Sequence, residues 1–271
     1  MKFFALPLML LVLHNFQSCS KTKLQKESSM TDQNSEVSFQ IGDIKYQAQT
    51  YLPKNVDSNT PTVLIIHEWW GANEYVQMRA KKLNEQGIAA ITVDLYGNNK
   101  VVENPKDAQA LATPFYQEPQ KAIDLIKLYL EKVKESKLVN EKNIYLAGYC
   151  FGGTQALNYV RAINDSSIKG VFSFHGGLTD GLKNSLKKIN APIYVFNGKA
   201  DPMVPAKDVA AFKAEMKKKG AKLMIYNYEG ALHAFTNPQA TAVGKKYNLP
   251  VAYDETADKD SWEQMIKAIK K

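Results

Sequence analysis

Two hydrophobic patterns alternate along this chain. Short, continuous apolar runs rich in β-branched residues read as buried strands: "TVLIIHE" (62–68), "IAAITVDLY" (88–96), "NIYLAGY" (143–149), "KGVFSFH" (169–175), "PIYVFNG" (192–198) and "KLMIYNY" (222–228). Between them, apolar residues recur at helical spacing. Val76, Ala80 and Leu83 mark a helix over 73–86 that stops at Gly87, and Ile123, Ile126, Leu130 and Val133 mark another over 120–134. Further helices are predicted over 152–162, 206–219 and 261–271. Strand and helix alternating in this way imply an α/β domain over 37–271, with a mainly parallel sheet covered by helices on both faces. Ligands are then expected at the carboxyl ends of the strands. The segment 37–53 predicts an antiparallel edge hairpin turning near Gly42 and Asp43.

The first residues follow neither pattern. Lys2 precedes an apolar run from Phe3 to Leu13, too short to span a bilayer and suited to a signal peptide over 1–19. The run ends near Cys19, which resembles the lipidated cysteine of a bacterial lipoprotein signal. Residues 20–36 are polar, lack periodicity and read as a flexible tether. These features predict a domain held in the bacterial cell envelope, periplasmic or on the outer membrane, and touching the membrane only through a lipid anchor. A secreted soluble protein is the alternative.

Charge changes the picture little. The formal charge is +8, but acids lie between the basic residues throughout, and the longest basic run, Lys217 to Lys219, falls on a predicted helix face. Basic and aromatic residues do not interleave, so no nucleic-acid partner is expected. No metal cluster, dinucleotide fingerprint or other cofactor motif is visible, and His67 and Glu68 lack the second histidine of a zinc helix.

Cysteine usage points to chemistry. With Cys19 assigned to processing, Cys150 is the remaining thiol, and it stands in "LAGYCFGGTQ" (146–155) between Gly148 and Gly152. The frame joins a predicted strand to a predicted helix. Such a tight turn strains the central residue, crowds the positions two before and two after it, and lifts the nucleophile above the sheet. A nucleophile needs a base, and the base an orienting acid. Asp201 follows the strand 192–198, and His233 follows the strand 222–228. The other histidines, His14, His67 and His175, all precede Asp201. Cys150, Asp201 and His233 therefore stand in the order nucleophile, acid, histidine used by α/β-hydrolases, each at a strand's carboxyl end.

Over roughly 37–271 the chain is similar to the dienelactone hydrolase family of the α/β-hydrolase superfamily. The resemblance rests on "HEWWG" (67–71), "DLYG" (94–97), "GYCFGG" (148–153), "GKADPMVP" (198–205), "HAF" (233–235) and "YDETADKDSWEQ" (253–264). It implies the α/β-hydrolase fold, a Cys150–Asp201–His233 triad, and Glu68 beside the thiol, where its charge opposes thiolate formation. The backbone N–H groups of Trp69 and Phe151 are expected to form the oxyanion hole. Trp69 and Trp70 are expected to line the pocket, and His67 to be a buried structural histidine. A thiol nucleophile suits lactones and activated esters, so the expected activity is hydrolysis of a small-molecule ester or lactone through a thioacyl-enzyme, without a cofactor. Acyl transfer on the same triad, or an inactive binding protein with this fold, are the alternatives. The best-known members hold a substrate carboxylate with two arginines, one after the "DLY" segment and one after the histidine. Here those places read "DLYGNNKVVE" and "HAFTNPQA", which leaves Lys100 and Asn237 as candidate substitutes and predicts uncharged substrates.

Overall fold

The computed structural model describes residues 37–271. The expected signal peptide, Cys19 and the tether lie outside the described residues. The chain order is β1 (Val37–Ile41), β2 (Ile44–Ala48), β3 (Thr50–Tyr51), β4 (Thr62–Ile66), α1 (Glu74–Glu85), β5 (Ala89–Val93), α2 (Pro105–Gln117), α3 (Gln120–Ser136), β6 (Ile144–Tyr149), α4 (Phe151–Ala162), β7 (Ile168–Phe174), β8 (Ile193–Gly198), α5 (Ala206–Lys218), β9 (Leu223–Tyr228), α6 (Ala240–Tyr247) and α7 (Glu255–Ile269).

The main sheet has seven strands in the order β3-β5-β4-β6-β7-β8-β9. All neighbours are parallel except the short edge strand β3, which pairs antiparallel with β5 through Thr50 and Ile91. Because side chains alternate across a strand, each central strand feeds two cores. Leu64 and Ile66 join one core with residues of α2, α3, α4 and α5. Val63 and Ile65 join the other, with Val76, Ala80 and Leu83 of α1 and Met265 and Ile269 of α7. Burial on both faces is why these strands read as continuous apolar runs.

Four elements differ from the sequence expectation. The hairpin β1–β2 forms as a separate two-stranded sheet, with Phe39 packed edge-on against Tyr129 of α3, and β3 alone reaches the main sheet. Helix α2 was not expected, because Pro105, Pro114 and a polar face obscure its period. Its start is nonetheless well built: Asn104 Oδ1 accepts from the Asp107 N–H at 3.0 Å, and Pro105 occupies the first turn, where no donor is lost. Helix α7 begins at Glu255, capped by Asp254, rather than at 261, and α6 is an additional short helix.

Strand register positions the site. Ile66 of β4 pairs with Gly148 of β6, so the segments that follow both strands emerge side by side. Cys150, His175, Asp201 and His233 then follow β6, β7, β8 and β9, four consecutive strands of the sheet.

Candidate active site

Cys150 occupies the single residue between β6 and α4, with φ 53° and ψ −116°. A non-glycine residue at positive φ is strained and persists only where its surroundings enforce it. Here two glycines and a shared N–H do so. A Cβ on Gly148 would lie 2.1 Å from the Gly152 carbonyl oxygen, and one on Gly152 would lie 2.2 Å from that of Ile66. Only glycine permits these backbones to approach so closely. The Cys150 N–H donates to the Phe174 carbonyl at 2.9 Å and faces His175 Nδ1 at 3.1 Å.

The predicted triad residues are brought together. His233 Nε2 lies 3.0 Å from Cys150 Sγ, and His233 Nδ1 lies 2.7 Å from Asp201 Oδ2. Asp201 is itself held by the Met203 N–H, which donates to Oδ1 at 2.8 Å. Burial opposes a charge on His233, but the sulfur and the carboxylate on either side outweigh it and hold the imidazole well above its usual value.

Behind the triad lies a buried polar network that sequence reasoning missed. His175 Nε2 is 2.7 Å from the Thr236 hydroxyl, which is 2.6 Å from the Tyr75 hydroxyl. Burial, with the positive charges of His233 and Arg79 nearby, keeps His175 well below its usual value and hence neutral. Arg79, 1% exposed, donates to the Tyr75 hydroxyl at 3.2 Å, to the Thr236 carbonyl, and to Asp258 Oδ1 at 2.5 Å. The loop carrying His233 is thereby tied to α1 and α7. Arg79 shows in sequence only as a cation on the apolar stripe of α1, at three-residue spacing from Val76.

The segment after β4 is pinned carbonyl by carbonyl. His67 Nδ1 lies 2.5 Å from the Glu68 carbonyl, its Nε2 accepts from the Leu95 N–H at 3.1 Å, and burial lowers its pKa to about 4. It is a neutral strut with the proton on Nδ1. The Gly71 N–H also donates to the Glu68 carbonyl, the Tyr96 hydroxyl donates to the Trp69 carbonyl at 2.9 Å, and the Val102 N–H donates to the Trp70 carbonyl at 3.0 Å. The N–H groups of Trp69 and Phe151 have no protein acceptor among the described residues. Phe151 opens α4, where a first-turn N–H has no intrahelical partner.

Glu68 is buried in the same cavity. Its Oε2 accepts from Asn237 Nδ2 at 2.7 Å. Burial pushes its carboxyl up to about 7 from the usual 4.5, against the Asn237 bond and the charges of His233 and Arg79. A carboxyl raised in the folded state contributes stability that is full below about 4.5 and is lost as the pH rises through about 7. Glu68→Gln removes this dependence. The melting temperature at pH 5 minus that at pH 8 is therefore expected to be several degrees lower in the variant than in the parent protein. An unchanged difference in thermal denaturation would count against a titrating carboxyl here.

A cavity of about 640 Å³ opens over Cys150. The segment after β4 supplies Trp69 and Trp70, α2 supplies Ala112 and Tyr116, and α4 supplies Thr154 and Asn158. Of the expected pocket residues, Trp70 and Asn237 line it and Lys100 does not. Lys100 is exposed in the turn after Gly97, whose carbonyl its N–H engages at 3.1 Å, and it does not line the cavity. Asn237 does line it, but its amide is committed at both ends. Nδ2 holds Glu68, and Oδ1 accepts from the Gln239 N–H at 3.0 Å. The site has no replacement for a paired-arginine clamp among the described residues.

The comparison that decides the family is a match of residues 46–271 to the model of the dienelactone hydrolase family. The chain belongs to that family. As a dienelactone hydrolase family member it is a hydrolase, and its parallel sheet with helices on both faces is the α/β-hydrolase fold. Among similar proteins are "Protein usf" of Aquifex pyrophilus and the Aquifex aeolicus protein named "Putative carboxymethylenebutenolidase". Each is 26% identical over 238 residues, covering 86% of this chain and 96% of its own length. A dienelactone hydrolase-like promiscuous phosphotriesterase from metagenomic libraries superposes with a TM-score of 0.79 at 23% identity, covering 87% of this chain and 96% of that one. At that identity the likeness speaks for the fold.

Proposed function

We propose that the protein hydrolyses uncharged esters or lactones through a thioacyl-enzyme on Cys150. The observation that carries this reading is the continuous chain from Cys150 Sγ through both His233 nitrogens to Asp201 Oδ2. In the first half-reaction Sγ attacks the ester carbonyl with its proton held on His233 Nε2, so that the imidazolium stands between the sulfur and Asp201. The carbonyl oxygen becomes an oxyanion beside the N–H groups of Trp69 and Phe151. Losing one such donor typically costs about two to three orders of magnitude in rate. When the intermediate collapses, the C–O bond breaks and His233 returns its proton to the departing alkoxide. A water then attacks the thioester with His233 as base, releasing the acid and restoring the thiol.

Within this scheme His67, Gly71 and Tyr96 are positioning groups. By holding the Glu68 and Trp69 carbonyls they fix the peptide between those residues, and with it the direction of the Trp69 N–H.

The lining of the cavity supports uncharged substrates. Among the described residues no lysine or arginine lines it, while Glu68 does. Its walls are mainly apolar, as in small-molecule sites. For aryl esters matched as carboxylate and methyl ester or amide, kcat/KM is expected to be at least about tenfold higher for the neutral member. Steady-state kinetics on such pairs tests the proposal, and a strong preference for the carboxylate would contradict it.

A further inference from the structure

The α4 wall of the cavity carries polar side chains with donors that neither the fold nor the proposed chemistry uses. Cys150, Thr154 and Asn158 follow one another at four-residue spacing and form one face of the helix, and all three line the cavity. At the helical rise, Thr154 lies ~6 Å and Asn158 ~12 Å along the axis from the nucleophile. Both are buried, at 6% and 3% exposure.

Each keeps a donor in reserve. Thr154 Oγ accepts from the Gly177 N–H at 2.8 Å, which fixes the oxygen, but among the described residues its hydroxyl proton has no acceptor. Asn158 Oδ1 faces the buried guanidinium of Arg161, whose Nη1 donates to it at 3.4 Å, and this sets the amide's orientation. Its Nδ2 makes one long bond, 3.4 Å to Gln155 Oε1, leaving its second N–H without a protein partner among the described residues. Arg161 is itself fixed by Glu215 at 2.8 Å and by the Leu178 carbonyl at 2.6 Å, so the Asn158 amide has a rigid support. Buried donors are costly unless something accepts from them.

The alcohol leaves toward His233, which protonates it, while the acyl group stays on Sγ at the head of α4.

We infer that Thr154 and Asn158 read the acyl chain, selecting uncharged esters or lactones whose acyl part bears a neutral acceptor oxygen, as a hydroxyl, ether or carbonyl, one to two helical turns from the scissile carbonyl. This rests on the proposed role of Cys150. The aromatic side chains of Trp69, Trp70 and Tyr116 give the same cavity an apolar surface, so the favoured acyl group is amphipathic, with oxygen toward α4 and carbon elsewhere.

The test compares phenyl hexanoate with phenyl 4-methoxybutanoate, which have the same chain length and leaving group and differ by one ether oxygen in place of a methylene. For the wild-type protein kcat/KM is expected to favour the methoxy ester by roughly three- to tenfold, the range of a net hydrogen bond. Thr154→Val, close in shape to the parent side chain, is expected to remove that preference, and Asn158→Leu to remove the corresponding preference for an ether oxygen placed about one helical turn farther along the chain. The wild-type ratio requires no variant, so a folding defect in one substitution does not blunt the test. Turnover of both esters with no preference for the methoxy compound, or a preference that survives Thr154→Val, overturns the inference alone. Turnover of neither ester overturns the proposed hydrolysis and this inference with it.

Discussion

Cys150→Ala is expected to lower kcat on any ester the protein turns over by at least about four orders of magnitude. The loss is large because the rest of the site is arranged around the sulfur. His233 Nε2 is 3.0 Å from it, the glycines of the elbow hold it above the sheet, and α4 begins at the next residue. Without the sulfur, His233 can at best direct a water at a carbonyl held in the cavity, and any residual rate comes from the oxyanion donors and binding. The fold should tolerate the change, since alanine keeps the Cβ and the N–H that donates to Phe174. Circular dichroism and a thermal melt alongside the kinetics separate lost chemistry from lost structure. Cys150→Ser is expected to retain a weak remainder, because serine preserves the attacking geometry with a poorer nucleophile.

Asp201→Asn is expected to cost about three to four orders of magnitude in kcat with little change in KM. Asp201 Oδ1 already accepts from the Met203 N–H, so an asparagine placed there keeps its oxygen on Met203 and turns its NH₂ toward His233 Nδ1. His233 must then accept at Nδ1 and carry its proton on Nε2, facing the sulfur with a hydrogen where a lone pair is required. Removing the carboxylate also removes one of the two groups that raise the imidazole's pKa. Steady-state kinetics across a pH series checks both effects. A variant with near-normal kcat would show that Asp201 serves only the turn at Met203.

Much of this site can be read from the sequence, for a definite reason. Parallel strands buried on both faces announce themselves as apolar runs, and the residues just past their carboxyl ends share one rim of the sheet. Cys150, Asp201 and His233 could therefore be placed together without knowing the strand order. The glycines around Cys150 report a close backbone approach that any larger residue would block. What stayed hidden depends on contacts between segments distant in sequence. Tyr116 reaches the cavity on α2, a helix whose internal Pro114 and polar face mask its period. Lys100 and Asn237 were matched by their neighbourhood in the chain. The turn after Gly97 leaves Lys100 exposed, and Glu68, 169 residues away, claims the Asn237 amide. Thr154 and Asn158 were visible in principle, at four and eight residues beyond the thiol. Their unused donors emerge only when every other partner is counted. The link from His175 through Thr236 and Tyr75 to Arg79 joins three separate elements, and no local pattern encodes it.

The most direct test of the central claim is a rapid-quench intact-mass measurement during turnover of a slowly deacylated aryl ester, followed by peptide mapping. The account predicts a mass increase equal to one acyl group, mapped to Cys150, that forms and decays at rates consistent with kcat and is absent from Cys150→Ala. An acyl group mapped to another residue, or full turnover by Cys150→Ala, would contradict it.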